Sequence, residues 1–383
     1  MSRASIFDRL HERQRPVDVV EAPTLTRDDF ETARLRFIDG VALTPSGFVA
    51  RGSTPEAGTP ALSHSLYGPD GFRLLVHEVV DVMSVDDSRL GRLEAKALRL
   101  HALIQTIVIE ALMLLESLPE ETPFDVVLTA PLRSSEATGI VVDHLRDAIA
   151  ETQYGAVLGE ITLREQGGDP HAALAVNKGM SHVLWINADS SLNGEDISRL
   201  QRDGLIGRRS SGGGLYPGEA VTALLVQRLL PGESDFAAGW IVNAGTSEEQ
   251  APRSERREYL KRQQMVALLG GAWPQGDESD VTETESPACV VIDAMALAGR
   301  AAEVGGALIE RWPEIDLIDD GIGVDGISGW PGQGMTALSF CLALSALEPE
   351  ASALVLSVVS ETRSVAWKLQ ACAAEAAPTD VHS

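Results

Sequence analysis

Between Gly214 and Gln227 the chain passes from a glycine-rich turn, Gly214-Leu215-Tyr216-Pro217-Gly218-Glu219-Ala220-Val221, directly into the apolar run Thr222-Ala223-Leu224-Leu225-Val226-Gln227. Glycine and proline at these spacings punctuate the backbone as a turn. A continuous apolar run with no polar alternation reads as a strand buried on both faces of its sheet. Such a sheet needs helices on both sides, so this segment points to an α/β fold.

Helical cover is written elsewhere in the chain. Arg36 to Leu43 reads as the first strand, followed by a Pro- and Gly-rich loop over Thr44 to Gly71 and an extended segment from Phe72 to Met83. Arg89 to Leu118 predicts a long helix ended by Pro119, and Phe124 to Ala130 a buried strand stopped by Pro131. A helix capped by Ser134 or Ser135 runs to Glu151, then come a strand at Ala156 to Leu163, a short helix at Pro170 to Asn177, and strands at His182 to Ala188 and Val221 to Leu230.

From Phe236 the same order of elements recurs. The sequence predicts a strand at Ala238 to Val242, a helix at Arg253 to Leu269, a strand at Ala288 to Ile292 and a helix at Ala296 to Arg311. An apolar stretch at Ile315 to Ile318, a helix at Gly332 to Leu347 and strands at Ala353 to Val359 and Ser364 to Leu369 complete it. The expected organisation is therefore one pseudo-duplicated domain over 30–370, with halves of about 30–231 and 232–370. It is preceded by an N-terminal arm, 1–29, interrupted by an acidic linker from Gln275 to Ser286, and followed by a flexible tail, 371–383.

With 31 Lys and Arg against 56 Asp and Glu, the formal charge of −25 repels phosphate backbones and anionic lipid, so neither nucleic acid nor a membrane is an expected partner. Cys289, Cys341 and Cys372 are too few and too scattered for a disulfide framework or a thiolate metal site, and the eight histidines show no ligand spacing. No metal or cofactor is expected. Leu100 to Leu118 is broken by Gln105, Glu110 and Glu116 and reads as a core helix, and the charged N-terminal residues do not resemble a secretory signal. A cytoplasmic location is the expectation.

The turn at Gly214, Gly218 and Glu219 resembles the Gly-Phe-Val-x-Gly-Glu-Gly-Ala strand entry of β-ketoacyl synthases, members of the thiolase superfamily. The resemblance covers Arg36 to Leu369 in element order and is specific at the glycine turn and at the helix from Gly332. It implies a thiolase-like fold, with duplicated halves in a layered helix-sheet-helix-sheet-helix arrangement, a structural role for Glu219 in tying the turn, and a homodimer formed through the strand near Ala156 to Leu163.

The same resemblance exposes what is missing. The family's nucleophilic cysteine opens a helix after a sharp turn, where the dipole and backbone donors activate it. Here that connection reads Ile161-Thr162-Leu163-Arg164-Glu165-Gln166-Gly167-Gly168-Asp169-Pro170-His171, and Asp169-Pro170 is an N-cap with proline at the first helical position. Met295 stands where the first catalytic histidine is expected and Trp330 where the second is. Neither side chain can shuttle a proton or hold a thioester carbonyl as imidazole does.

Other motifs are weaker. Gly321-Ile322-Gly323-Val324-Asp325-Gly326 matches G-x-G-x-x-G, but Trp330 and Pro331 stand between it and the next helix, so it reads as a flexible glycine loop. Ser210 to Gly214 beside Arg208 and Arg209 could form an anion nest but reads as a loop, and Asp319, Asp320 and Asp325 read as solvated carboxylates. Degenerate thiolase-like proteins serve as accessory factors that load effectors in bacterial type VI secretion. The implied function is thus a catalytically inactive adaptor that binds another protein, such as a secreted effector or spike component, with Trp185, Trp240 or Trp330 as anchors if exposed. The alternative is an acyl-thioester condensing enzyme with a non-standard active site.

Overall fold

The computed structural model describes residues 27–68, 70–84, 87–165, 167–176, 178–206, 213–233, 238–249, 257–274, 286–360 and 362–372. Most of the N-terminal arm, the acidic linker, the tail beyond Cys372 and the segment with Arg208 to Gly212 lie outside these residues.

Each half contributes six strands to one twelve-stranded sheet, five of them along its main hydrogen-bonded order. In the first half, Phe124–Thr129 runs parallel to both Leu158–Arg164 and His182–Ser190. Glu219–Arg228 is antiparallel to His182–Ser190 and to Arg34–Thr44. In the second half, Cys289–Ile292 runs parallel to Gly321–Gly323 and Ala353–Ser360, while Arg363–Ala371 is antiparallel to Ala353–Ser360 and Trp240–Asn243. Counted along the chain, the spatial order in each half is third, second, fourth, fifth, first. This shared order is the duplication that the element pattern predicts. The halves join through antiparallel pairing of Arg34–Thr44 with Trp240–Asn243, so one sheet runs through both halves.

The layers follow from strand parity. Leu184, Ile186 and Ala188 pack outward with the helices Ala95–Met113 and Ser135–Ala150, and Leu354 and Leu356 pack outward with Glu258–Ala272 and Arg300–Arg311. Val183, Trp185 and Val355 face the opposite way, into a core shared by both halves. The helix Met335–Ala346 fills that core. Every residue from Met335 to Ser345 is buried, as an all-round apolar sequence requires. Phe340 stacks on Phe37 of the first half at 4.9 Å and meets Trp367 of the second edge-on at 5.6 Å.

Several expectations are corrected. The Thr44 to Gly71 segment contains strands Gly47–Val49 and Ala61–Tyr67, the second paired with Arg73–Val76, which is all of Phe72 to Met83 that forms a strand. Of the arm, Asp28 and Asp29 pair with Lys178 and Gly179. At the other end, Ala371 still pairs with Trp240. The apolar stretch Ile315 to Ile318 forms no strand, and the edge strand is Gly321–Gly323, running into the short helix Val324–Ser328. The G-x-G-x-x-G segment is therefore regular structure, and none of its glycines has positive φ. A helix at Gly194–Arg202, capped by Asn193, was not expected from the sequence. The stretch Ala95–Ser117 is long and apolar enough to cross a membrane by length and composition, and 56% of its most apolar window is buried inside the fold.

Candidate functional site

By position in its half, the helix Pro170–Leu174 is the counterpart of Met335–Ala346, yet it has five residues against twelve. Asp169 caps it, accepting the His171 N–H at 3.0 Å. The connection that would carry the family's nucleophile is thus a capped single turn.

Beside it opens a cleft of about 530 Å³. Gly168 and Trp330 both line it, with Leu200, Leu205, Gly332, Gln333, Met335, Thr336 and the strand segment Ser357 to Ser360. Two of the positions that the resemblance singled out are therefore brought together. Met295 is not among the lining residues: its N–H donates to Asp325 Oδ1 at 3.0 Å and its side chain packs on the outer core of the second half. Asp325 also accepts from Ala296 N at 2.8 Å, so it ties a loop instead of standing as a solvated carboxylate.

The glycine turn holds the cleft wall. Trp330 donates its N–H to Tyr216 O at 2.7 Å, and its carbonyl accepts from Gly218 N at 3.1 Å and from the Ser191 hydroxyl. A Cβ on Gly218 would stand 1.9 Å from Ser328 O, so only glycine permits this approach. Gly214, at φ +131°, donates its N–H to Ala296 O. Glu219 is fully buried and its carboxylate accepts the Val79 N–H at 2.9 Å, the Ser190 hydroxyl at 3.0 Å and the Arg99 guanidinium. Trp185 and Trp240 are buried, which leaves Trp330 as the member of the expected anchor trio that lines the cleft.

Sequence reasoning did not single out the polar residues of the site. A second, polar chamber of about 350 Å³ is lined by Lys96, Arg133, Glu165, Asp189 and Asp196, and shares Arg199 and Gln333 with the cleft. Lys96 Nζ lies 2.6 Å from Asp196 Oδ2 and 3.2 Å from Asp189 Oδ1. Burial pushes the Asp189 carboxyl up against the pull of Lys96. Burial also opposes the Asp196 carboxylate, but hydrogen bonds from Lys96 and Asn193 and the charge of Arg199 bring it below its ordinary value. In the second half, Ser357 donates to Asp293 at 2.6 Å and Val358 N at 2.8 Å, while burial pushes the Asp293 carboxyl up to about 6. A polar residue on the inner parity of an otherwise apolar strand, as at Asn187, Asp189 and Ser357, is the signal that could have found them.

All three cysteines are buried. Burial pushes the Cys289 thiol up to about 12 and holds Cys341 well above its ordinary value, so neither thiol is ionised near neutrality. Among the described residues no group of three or more His, Cys, Asp or Glu is arranged to hold a metal.

No family model matches the sequence, and no curated protein matches it. Solved structures do match. A type II PKS acyl-carrier protein in complex with its ketosynthase (AntDE:AntF) aligns at TM-score 0.55 and 12% identity, over 89% of this chain and 100% of that one. The fold is thiolase-like. The thiolase-like fold recurs in the ketosynthase from module 6 of the bacillaene synthase of Bacillus subtilis 168, at TM-score 0.52 and 11% identity, over 90% of this chain and 73% of that one. The ketosynthase domain OzmH KS7 of Streptomyces albus JA3453 gives 0.51 and 11%, over 91% and 75%. Against the PfaC keto synthase–chain length factor the values are 0.50 and 10%, and the chain spans 43% of that protein's length. At such identity the likeness concerns the thiolase-like fold alone.

Proposed function

We propose that this chain is a catalytically inactive protein of thiolase-like fold that acts as an adaptor for another protein. The observation that carries this reading is the nucleophile connection: Gly168 and Asp169 lead into a five-residue helix with no cysteine, beside a cleft whose other wall is Trp330. Thiolase-type acyl transfer needs a nucleophile and proton carriers converging on one carbonyl. A secreted effector or spike component is the partner class that the resemblance suggests, in the cytoplasm. A homodimer would use Leu158–Arg164, which among the described residues lies at the edge of the sheet.

The second reading is an acyl-thioester condensing enzyme with a non-standard site. It is favoured by the Ser357 hydroxyl, which lines the cleft and is hydrogen-bonded to the raised Asp293 carboxyl. Affinity purification of the tagged protein from its native cell, with mass spectrometry and an acyl-thioester turnover assay on the same sample, separates the two. A stoichiometric protein partner without turnover is expected. Covalent acylation or turnover without a partner would overturn the adaptor reading.

A further inference from the structure

At the end of the sheet opposite Leu158–Arg164, the order of the described strands stops at Gly321–Gly323. Its pairing with Cys289–Ile292 is parallel, with Val290 opposite Gly321 and Ile292 opposite Gly323, and Val290 donates its N–H to Asp320 O at 2.9 Å. In such a ladder alternate residues turn their backbone groups to the partner. Ile322 therefore serves Cys289–Ile292, while the N–H and C=O of Gly321 and the N–H of Gly323 point outward. The Ile322 side chain packs on the shared core, and a Cβ on Gly323 would meet open space. Edge strands are ordinarily blunted by lysine, proline or a bulge, and Gly321-Ile322-Gly323 carries none of them.

Apolar and acidic groups flank this edge. A Cβ on Gly321 would stand 2.3 Å from Leu317 O, so the loop bearing Ile318 lies against the start of the strand. Ile318 is 88% exposed. A Cβ on Gly305 would stand 3.4 Å from the Leu317 side chain, and Ile309, one turn further along that helix face, is 64% exposed. Around them Glu310, Glu314, Asp316, Asp319 and Asp320 form an acidic run whose one cation, Arg311, turns onto Trp273 O and the Trp312 ring. Arg262 meets Glu310 at 3.5 Å, but among the described residues Glu314 and Asp319 have no basic partner. The field at this edge favours a cation.

We infer that this edge is a docking surface for an extended, basic segment of a protein partner. The segment adds to Gly321–Gly323 as a further strand, sets apolar residues on Ile309 and Ile318, and turns lysine or arginine to the acidic run. This rests on the adaptor reading and names where and how the partner is held. Backbone pairing gives such an addition its affinity, and the flanking side chains its selectivity. Charge decides between occupants, because a second copy of this chain, at −25, would bring the same acidic run to the same edge.

The test uses the full chain, with isotope-labelled glycine, and the probe Ac-Lys-Val-Lys-Val-Lys-Val-NH2, followed by NMR at the Gly321 and Gly323 amides in low salt. The peptide is expected to shift both amides and slow their hydrogen exchange. It should bind about tenfold more tightly than its glutamate counterpart, and than the same lysine peptide N-methylated along its backbone. Gly323→Pro removes an outward N–H at a φ of −84°, close to what proline adopts, and Ile318→Lys changes an exposed side chain. Each is expected to weaken the peptide about tenfold with thermal stability unchanged. No response at Gly321 and Gly323 in the wild-type chain, equal affinity for the three peptides, or full binding by Ile318→Lys would overturn the inference. So would a dimer that Ile318→Lys converts to a monomer in sedimentation, since the edge would then seat a second copy. A native partner still retained by Ile318→Lys would remove the edge as its seat and leave the adaptor reading intact. Failure of the wild-type chain to retain any partner, with the peptide bound at the edge, would instead remove that reading.

Discussion

Gln333 donates its backbone N–H to the Asp189 carboxylate at 2.8 Å, fastening the start of the central helix, which belongs to the second half, to a strand of the first. The preceding Gly332 has φ +106°, and a Cβ there would stand 2.6 Å from the same carboxylate oxygen. Lys96 completes the joint by meeting Asp189 from the outer helix layer. The joint ties Gln333, which lines the cleft, to the sheet of the first half and through it to the outer helix layer.

Replacing Asp189 with Ala leaves the Gln333 amide without its acceptor and Lys96 with Asp196 alone. Removing one partner of a buried charged network costs about 3 kcal/mol. Urea denaturation at neutral pH should show that loss, and an unchanged midpoint would mean that the joint is not holding the halves together.

Gly218→Ala should be worse than an ordinary surface change. The new methyl would stand 1.9 Å from Ser328 O and 2.8 Å from Gly329 Cα, both backbone atoms that cannot move independently. A loss of about 3 kcal/mol is expected. The Trp330 indole resonance should shift as well, since Gly218 N donates to the Trp330 carbonyl.

Asp293 gives stability a pH dependence of a definite sign. Its folded pKa, about 6, lies above the ordinary 3.8. Its contribution is therefore fully present below about pH 4 and lost as pH rises through 6, a change of about 3 kcal/mol. Asp293→Asn should abolish that slope whatever its offset in stability, as read from urea midpoints at closely spaced pH values.

His101 works in the opposite direction over part of the same range. It is buried, hydrogen-bonded to His144 at 2.7 Å, and burial lowers its pKa from 6.5 to about 4, aided by the His144 charge. Its contribution is present above pH 6.5 and lost as pH falls through 4, about 2 kcal/mol after allowance for solvent near the ring. His101→Phe should make the protein more resistant to acid, and an unchanged acid midpoint would refute this.

The thiols should be silent in the folded protein. Cys289 and Cys341 are buried with raised pKa values and lack the thiolate that reacts, and Cys372 is buried from reagent. Iodoacetamide at pH 8 should label none of the three within minutes and all of them in urea. Rapid labelling of one native thiol would reopen the search for a nucleophile.

How much was legible varies along the chain. Cys289–Ile292 is a short, wholly apolar run and Phe124–Thr129 a mostly apolar one, and their strand character is local. Met335–Ala346 is equally plain, because a run apolar on every side can only be a buried segment. Gly194–Arg202 is polar and short, although the Asn193 cap and the acids Glu195 and Asp196 in its first turn mark its start. The glycines from Gly321 to Gly326 looked like a loop because composition cannot show that Gly321–Gly323 finds a parallel partner in Val290–Ile292.

The sequence by itself determined the alternation of helices and buried strands, the repeat of that alternation, and the absence of a cysteine between Ile161 and His171. These depend on periodicity and identity within a few residues. Only the tertiary structure decided that Gly168 and Trp330 share a cleft, that Met295 stands outside its lining, and that Asp189 meets Gln333 across 144 positions of chain. Such meetings are set by strand order and by which face of the sheet each residue's parity selects. Those are properties of the assembled sheet, which local propensity does not encode.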